Sequence, residues 1–247
     1  MIVYPTLELQ KGKCVSLRRG RLEEPEIWHV DALETAQSYA AAGADWVHVT
    51  DLDAVAGEGS NEALIAEMIR TVPASVQVGG GMRSRERIEQ WIERGAGRVV
   101  VGTLAVQDPT TVQELAMRYP DQIVLAVDIF QGKLMSEGWR QAGAMRPEDF
   151  VQAYDGSPLA GVIVTDIDAD IGDQDELLGV ISGVAAATRH PVIARGSVRV
   201  ADDISRLKYV ANISGTQVGR ALLAKDIALE EALSLAQVVP EPKAQFV

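Results

Sequence analysis

The sequence predicts an α/β protein, a (β/α)8 TIM barrel with an internal half-barrel duplication. Three observations carry that prediction. Eight short apolar runs alternate with longer segments of helical period. The chain has 247 residues, and one such barrel takes about 250. Its first half is also echoed in its second. Val47-His-Val-Thr-Asp-Leu-Asp-Ala54 returns as Val162-Ile-Val-Thr-Asp-Ile-Asp-Ala169. Leu7-Glu-Leu-Gln-Lys-Gly-Lys13 returns as Val127-Asp-Ile-Phe-Gln-Gly-Lys133, Val78-Gly-Gly-Gly-Met-Arg83 as Ala194-Arg-Gly-Ser-Val-Arg199, and Val101-Gly-Thr103 as Val218-Gly-Arg220. The echoes keep one order at offsets of roughly 115–120 residues, so 1–247 reads as one barrel with halves of about 1–120 and 121–240.

In chain order, Met1–Leu9 reads as the first strand. Asp31–Ala42 follows as a helix that stops at Gly43, where a residue without a side chain takes the left-handed turn. Trp46–Asp51 is the second strand, and Asn61–Thr71 its helix, with Asn61 as a candidate N-cap. Ser75–Val78 is the third strand, and Ser84–Arg94 a helix begun by Ser84 and ended by Gly95. Arg98–Val101 and the helix 108–119 close the first half. The second half repeats the order: strand 123–128, helix 146–154, strand 161–165, helix 176–188, strand 191–194, helix 201–209, strand 215–218 and helix 227–236. Strands apolar on both faces belong to a parallel sheet covered by helices, and the duplication favours closure over an open doubly wound sheet. Two strand-to-helix stretches, 10–30 and 129–145, are long and occupy matching positions, as expected of loops that cover a ligand.

Composition narrows the function. The formal net charge is -12, which argues against nucleic acid or an anionic membrane as the partner. The single cysteine, Cys14, has no internal partner and suits a reducing, cytoplasmic setting, and it reads as a small buried residue. No run approaches the roughly 18 apolar residues of a membrane span, and the N-terminus lacks the pattern of a signal peptide. His29, His48 and His190 are scattered and have no metal-ligand spacing, so no metal is expected.

In a barrel, reactive side chains come from the C-terminal ends of the strands. Glu8 and Asp128 are a matched pair there, on strands 1 and 5, and two carboxylates facing one site suit paired proton transfer. Thr165 and Asp170 follow strand 6. Asp51 and Asp166 are echoed too, with loop anchoring at least as good a reading. Gly81, Gly102 and Thr103 end strands 3 and 4, while Gly196, Ser197, Gly219 and Arg220 end strands 7 and 8. Glycine before a helix lets backbone amides close on an anion. Two such clusters suggest a ligand with a phosphate at each end.

Pro5-Thr-Leu-Glu-Leu9, Ala41-Ala-Gly-Ala-Asp-Trp-Val-His-Val-Thr-Asp-Leu-Asp-Ala54, Val76-Gln-Val-Gly-Gly-Gly-Met-Arg-Ser84, Arg98-Val-Val-Val-Gly-Thr103, Gly138-Trp139 and Thr165-Asp-Ile-Asp168 together resemble the phosphoribosyl barrels of histidine biosynthesis, on the isomerase branch. The resemblance spans almost the whole chain. It implies an Amadori isomerisation of a bis-phosphorylated phosphoribosylformimino-aminoimidazole carboxamide ribonucleotide, without cofactor, by a protein expected to be a monomer. By position it makes Glu8 the general base at C2 and Asp128 or Asp170 the acid that opens the ring. Thr165 would position the intermediate, and the two glycine clusters would hold the phosphates. The second reading is a diverged relative that acts on or only binds another sugar-phosphate. The chain departs from the family pattern at Glu8, where aspartate is usual, at Ser16-Leu17, at Ile171-Gly-Asp-Gln-Asp-Glu176, and at Arg195-Gly196-Ser197. Arg195 is expected to supply cationic character lost elsewhere around the phosphate.

Overall fold

A computed structural model describes residues 1–167 and 174–237 of the chain. Its strands, in chain order, are β1 (Ile2–Gln10), β2 (Lys13–Ser16), β3 (Glu26–Trp28), β4 (Trp46–Asp51), β5 (Ser75–Gly79), β6 (Arg98–Val101), β7 (Ile123–Phe130), β8 (Lys133–Ser136), β9 (Gln141–Ala142), β10 (Gly161–Asp166), β11 (Val192–Arg195) and β12 (Ile213–Val218). Parallel pairing runs β1-β4-β5-β6-β7 and onward through β10, β11 and β12 back to β1. The β7–β10 pairing closes the circuit, so the sheet is a barrel and not an open doubly wound sheet.

Alternation along each strand sorts side chains into two layers. On β1, Val3, Leu7 and Leu9 join a large cluster that includes Ala32, Ala36 and Tyr39 of the helix Ala32–Ala41. Tyr4 instead joins Val100, Val124, Ile163 and Ile193 in a small cluster inside the barrel. Arg98 donates to the Tyr4 hydroxyl at 2.7 Å and stacks 4.3 Å from the Trp46 ring centroid, which fills the N-terminal end of the barrel. Desolvation there raises the Tyr4 pKa, and Arg98 partly opposes the rise.

The helices begin where the sequence provides caps. Asp31 accepts from Glu34 N at 2.9 Å, Ser84 from Arg87 N at 3.3 Å, and Asp108 from Thr111 N at 3.1 Å ahead of Pro109. Asn61 sits at the start of the helix Glu62–Thr71 but does not cap it. Its amide is used elsewhere, bonding Leu9 O at 3.3 Å, Asp51 Oδ1 at 2.8 Å and Asp53 Oδ2 at 2.9 Å. Short helices Leu52–Ala56, Thr103–Gln107 and Arg220–Leu223, unforeseen in the sequence, follow β4, β6 and β12 directly.

The stretches 10–30 and 129–145 differ from the expected plain loops. Each continues its barrel strand into an antiparallel hairpin: β1 pairs with β2 and β2 with β3, while β7 pairs with β8 and β8 with β9. The turns are Lys11-Gly12, at φ 50° and 74°, and Gln131-Gly132, at φ 49° and 72°. Two successive positive φ values give a two-residue turn whose twist matches that of the strands, so the pairing continues.

Asp51 is the anchor of this upper face. It is 1% exposed and accepts from Ala54 N, Ser60 Oγ, Asn61 N and Asn61 Nδ2 at 2.8–3.2 Å. Asn61 in turn accepts from Gly12 N at 2.8 Å, and Asp53 from Lys11 N at 2.7 Å, which ties the first hairpin turn to β4. Asp51→Ala strands several buried donors at once. Urea unfolding should show a loss of about 2–4 kcal/mol; a loss below about 1 kcal/mol would show that the network is not cooperative.

Candidate active site

At the C-terminal ends of the strands a cleft opens, lined by His48, Thr50, Gly79 to Arg83, Gly102, Thr103, Asp128, Ser136, Trp139 and Arg195, among others. Alternation explains why these polar groups face inward. Asp128 shares the inner face of β7 with Val124 and Ala126, Thr165 that of β10 with Ile163, and Arg195 that of β11 with Ile193. Asp51, in step with Val47 and Val49, faces the helical layer, so it anchors loops instead of reaching the cleft.

Asp128, Thr165 and Arg195 stand side by side, since Thr165 is the register partner of both the others. Thr165 Oγ1 is buried with no hydrogen-bond partner among the described residues. Glu8 is not part of the cleft lining itself. It is joined to it by Arg195, whose Nη2 donates to Glu8 Oε1 in an ion pair with side-chain exposures of 19% and 15%. Arg195, expected to add cationic character near a phosphate, lines the cleft with its guanidinium engaged by Glu8. Asp170 lies outside the described residues.

The first glycine cluster is tightly confined. A Cβ at Gly80, which has φ 100°, would lie 2.3 Å from Asp51 O, and one at Gly81 2.6 Å from Ala54 Cβ. Gly102 caps the helix Thr103–Gln107 at φ -110°, ψ -83°, and Gly219 caps Arg220–Leu223 at φ -114°, ψ -80°. The same backbone geometry therefore recurs at echoed positions. Thr103 Oγ1 accepts from Glu137 N at 2.8 Å, which holds the second hairpin over this end. Arg220 pairs through Nη1 with Glu26 of β3, which holds the first hairpin over the other end. Arg220 Nη2 is buried without a hydrogen-bond partner among the described residues. Gly196 has φ 81° and open space around its Cβ position, and Ser197 is buried.

Two cleft residues were not selected from the sequence. Trp139, at φ 68°, lies so close to Gly20 that a Cβ there would be 3.0 Å from its ring, so the two hairpin regions meet over the mouth. The Gly138-Trp139 pair was visible as a motif, but not its place. His48 is buried and bonds Thr50 Oγ1 at 2.9 Å and Gln77 Nε2 at 3.0 Å. Its echo in the second half is Ile163, and that polar-for-apolar exchange was the available signal. Cys14 is buried, and desolvation followed by the Asp31 charge pushes its thiol up to about 11, which makes it unreactive. Among the described residues, no group of three or more His, Cys, Asp or Glu is arranged to hold a metal ion. Nor is any helix among them long and apolar enough to cross a membrane.

Comparison with known proteins agrees with this geometry. Residues 2–228 match the family described as "Histidine biosynthesis protein". The chain belongs to that family. Among its relatives, a protein of a Ruegeria species is 57% identical over 246 residues, covering 100% of both chains. It is named 1-(5-phosphoribosyl)-5-((5-phosphoribosylamino)methylideneamino) imidazole-4-carboxamide isomerase 1. The corresponding isomerase 2 of Ruegeria pomeroyi is also 57% identical over the full length, and the isomerase of Caulobacter vibrioides is 37% identical, covering 94% of this chain and 98% of its own.

Within this family member His48 gives a pH signature. Burial, then the Arg195 charge, hold its pKa well below 6.5. The unfolded chain therefore takes up a proton first as pH falls, so the stability His48 contributes is present above pH 6.5 and is lost progressively below it. Urea midpoints at pH 7.5 and 5 should fall further in the wild type than in His48→Asn. Equal falls in the two proteins would refute this.

Proposed function

We propose that this chain is the isomerase of histidine biosynthesis that converts the bis-phosphorylated phosphoribosylformimino-aminoimidazole carboxamide ribonucleotide from its aldose to its ketose form. The observation that carries the reading is full-length identity of 57% to two proteins named for an isomerase of that imidazole carboxamide. The cleft supports it, with Asp128 on its wall together with the Gly102 helix start, whose backbone geometry recurs at Gly219. We read the protein as a cytoplasmic monomer.

In this reading an acid, Asp128 or Asp170, gives a proton to the ribose ring oxygen, and the bond from that oxygen to C1 breaks. The nitrogen lone pair forms the C1–N double bond. Glu8 then removes the C2 proton, and the electron pair of that bond forms the enolamine. A proton returned to C1 and loss of the proton on the C2 hydroxyl yield the ketose, with no net gain or loss of atoms or electrons. Thr165 Oγ1, still lacking a protein partner among the described residues, is suited to hold the open-chain intermediate. Gly81, Gly102 and Thr103 would take one phosphate, and Gly196, Ser197, Gly219 and Arg220 the other. Amides at a helix start favour an anion, and the glycines let it approach.

The purified protein should turn over the bis-phosphate substrate, followed spectroscopically. Asp128→Asn and Glu8→Gln should each lower kcat by about 100-fold or more, the usual scale of general acid–base catalysis. No turnover by the wild type would overturn the reading, and wild-type kcat in Asp128→Asn would remove Asp128 from it.

A further inference from the structure

Two departures of this chain from its family pattern, Glu8 and Arg195, meet in the structure. They lie 187 residues apart, on strands separated by β12, and they form an ion pair inside the barrel mouth. Glu8 Oε1 is bonded by Arg195 Nη2. Among the described residues, Glu8 Oε2 accepts only a long bond, 3.4 Å, from Leu17 N. A glutamate has one more rotatable bond than an aspartate, and reach and disorder grow together in a free side chain. Productive proton transfer needs the carboxylate fixed, since a displacement of about 1 Å can cost about 100-fold. The guanidinium supplies that fixing, and it also lines the cleft wall beside Thr165 and Asp128.

We propose that Arg195 is a positioning residue for Glu8: its guanidinium holds Oε1, and Oε2 is the atom that receives the substrate proton. Glutamate at position 8 and arginine at 195 then act as one unit. A side chain shorter by one methylene, about 1.5 Å, loses the guanidinium. The inference rests on the isomerase reading.

Steady-state kinetics and melting temperatures of R195A, R195K, E8D and E8D/R195A test it. R195A should lower kcat about 100-fold with KM changed less than about 3-fold. R195K, which restores a cation, should recover at least about 10-fold of that loss. E8D should lower kcat in the wild-type background, and the double variant should match E8D within about 3-fold, because the arginine no longer acts once the carboxylate is too short to reach it. R195Q, which retains much of the side chain's bulk, carries the same comparison should R195A not fold. Wild-type kcat in R195A, a loss confined to KM, or losses that multiply in the double variant would each overturn the proposal while wild-type turnover leaves the isomerase reading standing. A wild type without turnover sinks both.

Discussion

Closure of a parallel sheet with strict side-chain alternation is the constraint on which the rest of this molecule depends. Once β7 and β10 pair, every barrel strand has one face toward the helices and one toward a narrow interior. The helical layer takes Val47, Val49, Val162 and Val164. The interior takes what remains, including the polar groups Glu8, His48, Gln77, Asp128, Thr165, Arg195 and Gln217. These cannot all be satisfied by backbone, whose amides and carbonyls are already used in the ladder. They pair among themselves: His48 with Gln77 and Thr50, and Glu8 with Arg195. Those left over, such as Thr165 Oγ1 and both ends of the Gln217 amide, have no protein partner among the described residues. Buried polar atoms left in this way are a cost in stability.

The upper face is held together by contacts of equivalent kind at both ends of the cleft. The first hairpin is fixed at its turn by Asp53 and Asn61 and at its return strand by Arg220 gripping Glu26. The second is fixed by Thr103 accepting from Glu137 N. Each hairpin is thus attached to the strand end that carries a glycine-capped helix. Trp139 and Gly20 then bring the two hairpin regions into contact over the mouth. The cleft is roofed by strand extensions whose pairing begins inside the barrel, which limits how far they can move independently of it.

Most of the barrel strands were legible because they are rich in apolar residues, as burial on both faces demands, while the last, Ile213–Val218, with Ser214, Gly215, Thr216 and Gln217, was found as the echo of an earlier one. The cap at Ser84 was readable for the same local reason. The hairpins were not, because Lys-Gly and Gln-Gly are weaker turn signals than Asn-Gly, and β2, β3, β8 and β9 are two to four residues long. Asn61 misled locally: a good cap residue was diverted by buried carboxylates of stronger demand. Asp128 and Glu8 could be found as echoes, but the partner of Glu8 could not. A contact across 187 residues leaves no local trace, and Arg195 on its own read as one more cation near a phosphate. His48 was passed over because scattered histidines were weighed as metal ligands, whereas its setting is a buried neutral ring held by two neighbours.

The cations around the mouth settle how an anionic ligand can be held by a chain of net charge -12. Arg195 is engaged by Glu8, Arg220 by Glu26 through one of its two terminal nitrogens, and Arg83 donates to Val55 O at 2.8 Å. The carboxylate partners of Arg195 and Arg220 offset much of their charge, whereas Arg83, bonded to a neutral carbonyl, keeps its own, and Arg220 Nη2 has no hydrogen-bond partner among the described residues. In the proposed reading, backbone amides at the Gly102 and Gly219 helix starts share the two phosphates with Arg220, and such a donor carries no net charge to be neutralised in advance. Arg195 thus meets Glu8 directly, and its charge adds to burial in holding the His48 ring neutral.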